Sequence, residues 1–358
     1  MVKGVLVLKD GTIVEGTGFG AEGEVKGEVV FNTSMAGYQE SLTDPSYRYQ
    51  ILMPTYPLIG NYGINDEDFE SDRVQVEGYI VGEYCEKPSH YKQKKTVNEF
   101  LKDYGVPGLY GVDTRFLTRK IRTYGVIEGI LKWPVRDSEK PSLVRKAEKL
   151  KSISEYDLIK KVTCRDVVEE GKGKRVVLID CGAKRSIIRK LLERGLQVVR
   201  VPATMSSDDI LKLKPAGVVL SNGPGDPERA DYVIKTVRAL ADKNLPLFGI
   251  CLGIQMIALA FGGKTFKLKF GHRGMNQPVK DLDTGSVYIT SQNHGFAVDA
   301  GSIEGTGLRV SHINLNDNTV EGLRHKTLPV LGVQYHPEAS SGPWDNYYLF
   351  DEFMRMIK

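Results

Sequence analysis

Leu247-Phe248-Gly249-Ile250-Cys251-Leu252-Gly253-Ile254-Gln255 is an apolar run that stops at a cysteine held between two glycines and then resumes. The pattern predicts a buried strand over 245–250, one turning residue, and a helix over 252–261 closed by Gly262-Gly263. Such a strand–turn–helix corner is a nucleophile elbow, with Gly-x-Cys-x-Gly in place of the more common Gly-x-Ser-x-Gly. The glycines are needed because side chains would clash in so tight a turn. A cysteine there projects from the end of a sheet at a helix N-terminus. The helix dipole and the free first-turn amides favour its thiolate, which is the nucleophilic form.

Outward from the elbow, strand and helix alternate. Residues 176–180 form a continuous apolar run, as buried parallel strands do, and 198–201 and 217–221 read as a second and a third strand. Residues 186–194 place Ile187, Ile188, Leu191 and Leu192 on one helical face, with Gly195 as the stop. Ser206 and its neighbours offer capping oxygens before Ile210. A further helix is predicted over 230–243, with Val233, Ile234, Val237 and Leu240 turned inward. Four alternations imply an α/β fold with a mainly parallel sheet and helices on both faces. Ligands in such folds bind beyond the carboxyl ends of the strands.

A thiol nucleophile needs a base, and the base needs an orienting partner. The run 328–333 leads into Gln334-Tyr335-His336-Pro337-Glu338. This sets His336 just past a strand and Glu338 on a backbone stiffened by Pro337. Leu220-Ser221-Asn222-Gly223-Pro224-Gly225-Asp226-Pro227 makes a fixed loop at another strand end. Its backbone amides are suited to holding the oxyanion of a tetrahedral intermediate.

The chain has 358 residues, 41% of them hydrophobic and 26% charged. That is long for one core and suggests two domains. Residues 1–150 read as a β-rich domain: strands at 5–8 and 12–14 flank Lys9-Asp10-Gly11, 25–32 alternates, and a helix over 114–123 puts Phe116, Leu117 and Ile121 on one face. A charged helix is expected over 142–151. Residues 151–173 read as a linker and 174–358 as the α/β domain, with a flexible joint at Glu169-Glu170-Gly171-Lys172-Gly173-Lys174.

The net charge of +4 comes with no basic block of the kind that marks nucleic-acid binding. No apolar run approaches a membrane span. The opening residues carry charge too early for an export signal, and the four cysteines form no C-x-x-C pair, so a reducing cytoplasm is expected. Gly18-Phe19-Gly20-Ala21-Glu22-Gly23 fits a dinucleotide fingerprint, but no helix opens after it. Gly263-Lys264-Thr265 resembles the end of a P-loop, yet Ala258 stands where its first glycine would fall. His90, His272, His294, His312 and His325 show no metal-ligand spacing, so no metal is expected.

Gly-Ile-Cys-Leu-Gly-x-Gln, Ser-Asn-Gly-Pro-Gly-Asp-Pro and His-Pro-Glu, in this order, resemble class I glutamine amidotransferase domains, a flavodoxin-like fold. The residues 29–47, beginning Val29-Val30-Phe31-Asn32-Thr33-Ser34-Met35-Ala36-Gly37-Tyr38-Gln39-Glu40, look like the small subunits of carbamoyl phosphate synthetases. So do Gly271-His272-Arg273-Gly274, Gln292-Asn293-His294-Gly295-Phe296 and Pro337-Glu338-Ala339-Ser340-Ser341-Gly342-Pro343. The resemblance covers essentially the whole chain. It implies that Cys251 attacks the side-chain amide of L-glutamine to form a γ-glutamyl thioester. His336 would protonate the departing ammonia and then activate water, with Glu338 holding its ring. The family's glutamine contacts fall on Ser34, Gly223, Gly225, Leu252, Gln255, Asn293, Gly295 and Phe296, with Ser34 coming from the first domain. Ile254 departs from the histidine of many relatives.

The resemblance also implies no cofactor on this chain. ATP and Mg are expected on a large subunit that receives the ammonia through a channel and makes carbamoyl phosphate from bicarbonate for arginine and pyrimidine biosynthesis. An amidotransferase serving another synthetase, a free-standing γ-glutamyl thiol hydrolase and a non-catalytic subunit are the other readings. The block 31–47 argues against the first two, and the intact Cys251, His336 and Glu338 against the third.

Overall fold

The computed structural model describes residues 3–357. The chain divides into two units, Met1–Glu155 and Tyr156–Lys358.

In the first unit, β1 (Lys3–Leu8) turns back into β2 (Ile13–Gly20) around Gly11, whose φ of 86° suits glycine and whose N–H donates to the Leu8 carbonyl at 2.9 Å. Then follow β3 (Gly23–Asn32), α1 (Tyr38–Thr43), β4 (Gln50–Pro54), β5 (Leu58–Ile59), β6 (Gly78–Ile80) and β7 (Glu83–Tyr84). The unit ends with α2 (Val97–Asp103), β8 (Pro107–Tyr110), α3 (Thr114–Tyr124), β9 (Ile127–Trp133) and α4 (Lys140–Ala147). Seven strands close a barrel in the order β1-β2-β8-β6-β4-β3-β9, which leaves that sheet no open edge. β3 alternates at its start and is wholly buried from Gly27 onward.

α3 forms because Asp113 caps it, accepting from the Phe116 N–H at 2.8 Å, and because Leu117 and Ile121 lie one turn apart on the buried side. Phe116 does not share that face; it is 46% exposed, since the residue next to Leu117 points about 100° away around the helix. The charged helix begins and ends earlier than its composition suggests. Pro141 sits in its first turn, and Leu143 and Ala147 pack on Val5, Val7 and Ile130 of the barrel.

The second unit runs α5 (Ile159–Val162), β10 (Val168–Glu170), β11 (Lys174–Asp180), α6 (Arg185–Leu192), β12 (Leu196–Pro202), α7 (Ser207–Lys212), β13 (Gly217–Leu220), α8 (Asp231–Asp242), β14 (Leu247–Ile250) and α9 (Leu252–Ala260). It continues through β15 (Thr265–Asp281), β16 (Val287–Val298), β17 (Leu308–Asn314), β18 (Val320–His325), β19 (Val330–Val333) and α10 (Tyr348–Met356). Ten strands order as β10-β12-β11-β13-β14-β19-β18-β17-β15-β16. The stretch β12-β11-β13-β14-β19 is parallel. Antiparallel β18, β17, β15 and β16 extend it on one side, and β10, within the expected linker, pairs antiparallel with β12 on the other.

Both faces of the parallel stretch are covered, which is why its strands read as unbroken apolar runs. In β11, Val177 and Ile179 belong to the core shared with α8 and α9, while Val176 and Leu178 belong to the core shared with α6 and α10. Each such buried aliphatic side chain stabilises the fold by roughly 1.5–3 kcal/mol. α9 lies so close to the sheet that a Cβ on Gly253 would meet the Leu220 carbonyl oxygen at 2.4 Å. That approach presents the carboxyl ends of β11, β13, β14 and β19 together at one rim.

Candidate active site

Cys251 sits between β14 and α9 with φ 55° and ψ −100°, a conformation a non-glycine residue holds only under constraint. Two features supply it. The Cys251 N–H donates to the Val333 carbonyl at 2.8 Å, pinning the corner to β19. The flanking glycines admit neighbouring backbone, since a Cβ on Gly249 would lie 2.6 Å from the Gly253 carbonyl. The thiol is 3.6 Å from the Asn293 carbonyl oxygen, and the Gln334 side-chain amide donates toward Sγ at 3.8 Å.

β19 ends at Val333, and the next residues carry the polar groups. His336 N–H donates to the Ser291 carbonyl at 2.9 Å, which ties this segment to β16. The His336 Nδ1–H donates to Glu338 Oε1 at 2.5 Å. The same oxygen accepts from Lys184 Nζ at 3.0 Å, and that ammonium also donates to the Ala339 carbonyl at 3.2 Å. All three side chains are buried, so each charge depends on its partner.

Burial favours a protonated Glu338, but the Lys184 ammonium and then the His336 ring outweigh it and hold the carboxyl at about 2. Burial likewise pushes His336 down, and Lys184 adds to that. The Glu338 carboxylate, helped by Cys251, prevails and raises the ring to about 10. His336 is therefore an imidazolium at neutral pH. Its buried Nε2 makes no hydrogen bond to a nitrogen or oxygen, and Cys251 is the group near enough to interact with the ring from that side.

Around this array stand most of the residues read as glutamine contacts. Gln255, on α9 one turn after the cysteine, donates to the Phe296 carbonyl at 2.8 Å and to Gln334 Oε1 at 3.0 Å. It thereby joins α9, β16 and the end of β19. Asn293, Gly295 and Phe296 lie on β16. Leu252 opens α9, where first-turn amides lack intrahelical partners. Gly223 packs against Leu252, a built Cβ meeting Leu252 Cδ2 at 2.8 Å and the Cys181 carbonyl at 2.2 Å. Gly225, with φ +87°, turns the same loop beside Leu158.

The class I glutamine amidotransferase family model matches residues 177–356, and the model described as carbamoyl-phosphate synthase small chain, CPSase domain, matches residues 6–131. The carbamoyl phosphate synthase small chain of Methanopyrus kandleri is 54% identical over 100% of this chain and 99% of its own length. That of Archaeoglobus fulgidus is 53% identical over the same shares, and that of Fusobacterium nucleatum 51% identical over 98% and 97%. The chain belongs to the carbamoyl phosphate synthase small chain family. Its role is that of the family's glutamine-hydrolysing subunit, with the amidotransferase fold in the second unit.

Two residues of this small chain escape a reading of motifs. Lys184 follows β11 and is carried inward by a stitched loop. Asp180 Oδ1 accepts from the Gly182 and Ala183 amides at 2.9 and 2.8 Å, Cys181 N–H donates to Ser221 Oγ at 2.9 Å, and Lys184 N–H donates to Asn222 Oδ1 at 3.1 Å. Its position just past a strand was the only signal in the sequence. Gln334 lies two residues before His336, just past β19, and its side-chain amide reaches Cys251 Sγ.

Ile254 is fully buried in the apolar core, its Cβ 3.0 Å from a Cβ built on Gly332. It packs α9 on β19 and offers no polar atom. Ser34 belongs to the first unit. It follows β3, its N–H donates to Asn32 Oδ1 at 2.7 Å, and it lines a small cavity with Asn32, Tyr38, Leu52, Ile59 and Tyr79.

Proposed function

We infer that this small chain hydrolyses L-glutamine through a γ-glutamyl thioester on Cys251 and passes the ammonia to a separate large subunit. The observation that carries the mechanism is the buried Lys184–Glu338–His336 array beside the strained cysteine. The Cys251 thiolate attacks the γ-carboxamide carbon, and the carbonyl π electrons move to its oxygen. The Leu252 and Gly223 amides are the donors suited to that oxyanion. The His336 imidazolium gives its Nε2 proton to the amide nitrogen as the C–N bond breaks, and ammonia leaves. His336, now neutral, takes a proton from water as the hydroxyl adds to the thioester. Collapse returns glutamate and the thiolate, and the proton gained restores the imidazolium.

Ser34, Gln255, Asn293, Gly295, Phe296 and Gly225 serve as the remaining glutamine contacts. This reaction draws on no cofactor. ATP and Mg2+ act on the large subunit, which the ammonia reaches through a channel and where bicarbonate is converted to carbamoyl phosphate for arginine and pyrimidine biosynthesis. The place of work is the cytoplasm, with no nucleic acid or membrane as partner. Among the described residues no helix is long and apolar enough to cross a membrane.

The test is peptide mapping after exposure to an electrophilic glutamine analogue, with and without glutamine, and with the large subunit present. A single adduct on Cys251 that glutamine suppresses is the expected result. Labelling spread over Cys85, Cys164 and Cys251, or labelling indifferent to glutamine, overturns the reading.

A further inference from the structure

Spacing along the chain offers no metal motif, yet folding gathers His272, His294 and Glu321 within the second unit. His272 of β15 stands directly opposite His294 of β16 in the antiparallel register, so both project from one face, with ring centroids 5.0 Å apart. Glu321 arrives from β18, and the ligand atoms of the three lie within 4.8 Å of one another. All three are buried, Glu321 completely.

The partners on the far side of each ring settle which nitrogen is bare. His272 Nε2 is 2.8 Å from the Asp317 carboxylate, which only accepts, so that nitrogen carries the proton. His272 Nδ1 then offers a lone pair; it has no hydrogen-bond partner and is 3.6 Å from Glu321 Oε1, too far for a hydrogen bond. His294 Nδ1 is 2.8 Å from the Phe296 carbonyl, another pure acceptor, so its lone pair is on Nε2. That lone pair faces Gln292 Oε1 at 3.0 Å, while the Gln292 amide nitrogen is engaged by Thr290. Glu321 Oε2 is also without a partner.

Three ligand atoms, from His272, His294 and Glu321, thus gather within 4.8 Å of one another, with Gln292 Oε1 beside His294 Nε2 and with Glu321 Oε1 also accepting from Asn314 Nδ2 at 3.0 Å. A histidine whose other N–H is held by a carboxylate or a backbone carbonyl is the arrangement that orients metal ligands.

We propose that His272 Nδ1, His294 Nε2 and Glu321, with Gln292 Oε1 completing the set, bind a divalent transition ion of the zinc class. Two imidazoles, a carboxylate and an amide oxygen suit such a borderline ion better than the oxygen-seeking Mg2+ or Ca2+. Zinc–nitrogen distances of about 2.0–2.1 Å place tetrahedral ligands about 3.4 Å apart, so the set closes by side-chain shifts on the order of 1 Å. The ion takes no part in glutamine hydrolysis. It clamps β18 to the β15–β16 pair, whose 293–296 segment borders Cys251, and is independent of the glutaminase reading.

The test uses the full chain carrying Cys251→Ala, which removes a competing thiolate. After chelator treatment it is titrated with Co2+, read by its visible d–d bands, and with Zn2+ against a chromophoric chelator at pH 7.5. One ion per chain at micromolar affinity or tighter is expected. Glu321→Gln should weaken binding at least about 100-fold, and Asp317→Asn, which reaches the ion only through His272, about 10–100-fold. Asp317 is partly exposed, so its variant keeps the measurement decisive if Glu321→Gln fails to fold. Absence of saturable binding up to millimolar metal, or equal affinity in the Asp317→Asn chain, overturns the proposal. A second proton on His272 would then be what neutralises the cluster.

Discussion

Glu338→Gln is expected to strip the proton from His336 at neutral pH and to leave the buried Lys184 ammonium facing a neutral amide. Burial, then Lys184, push the ring down, and the Glu338 carboxylate is the main group pushing it up. With a neutral amide at 338 the ring falls from about 10 to its ordinary 6.5 or below. That is a change of about 3.5 units or more, and at about 1.4 kcal/mol per unit it amounts to roughly 5 kcal/mol of lost imidazolium stabilisation.

The sign follows from the direction of each shift. The His336 value is raised on folding, so its contribution to stability is whole below pH 6.5 and fades as the pH rises toward about 10. The Glu338 value is lowered from 4.5 to about 2, so its contribution is whole above pH 4.5 and fades as the pH falls toward 2. Two assays read the variant: titration of the His336 ring by nuclear magnetic resonance, and glutamine hydrolysis against pH with the large subunit present. A neutral ring at pH 8 and a rate lower by about 10²–10⁴, the usual worth of a placed general acid, are expected. A ring still protonated at pH 8 in Glu338→Gln would refute the electrostatic argument.

Lys184→Met should strand the Glu338 charge, costing about 3–5 kcal/mol in urea melts and moving the acid limb of the rate profile upward, because the largest influence lowering that carboxyl is gone; an unmoved acid limb counts against it. Gly253→Ala should destabilise the second unit by about 1–3 kcal/mol, since the new Cβ would meet the Leu220 carbonyl oxygen at 2.4 Å and Leu220 Cβ at 2.9 Å, whereas Gly301→Ala, with Asp299 Oδ1 at 3.5 Å as nearest atom, should stay within about 0.5 kcal/mol. Calorimetry separates the two, and equal melting temperatures would show that α9 is not pressed on the sheet. A general alkylating agent at pH 8 should spare Cys164 and Cys181, whose thiols burial pushes up, that of Cys164 to about 12. Mass mapping that finds Cys164 labelled first would contradict this.

The elbow at Cys251 was legible because its chemistry is local. A four-residue apolar strand, a turn that tolerates no side chain beside it and an apolar helix all leave marks within nine residues. The parallel strands were legible for a related reason, since burial on both faces erases polar alternation. The antiparallel extension was not. The long β15 carries Lys267, Lys269, His272 and Arg273 among its apolar residues, and nothing local says which partner strand covers them. Phe116 misled because an exposed aromatic beside Leu117 cannot be told from a buried one by composition. Val168–Glu170 fell within the stretch read as a linker because an edge strand three residues long has no periodicity to detect.

The sequence by itself determined the class of chemistry. A cysteine at a strand-to-helix corner, a histidine and a glutamate past a later strand, and a glycine-proline loop are each set by neighbours in the chain. Only the tertiary structure decided what those groups do at neutral pH. Lys184 lies 154 residues from Glu338 and reaches it because β11 and β19 end at the same rim. The charge it brings keeps Glu338 ionised against the effect of burial, and that carboxylate, against both burial and Lys184, keeps His336 protonated. His272, His294 and Glu321 make the same point, for their lone pairs meet only once β15, β16 and β18 have paired and packed. Charge states depend on through-space distance and burial, and neither quantity is written in the order of residues.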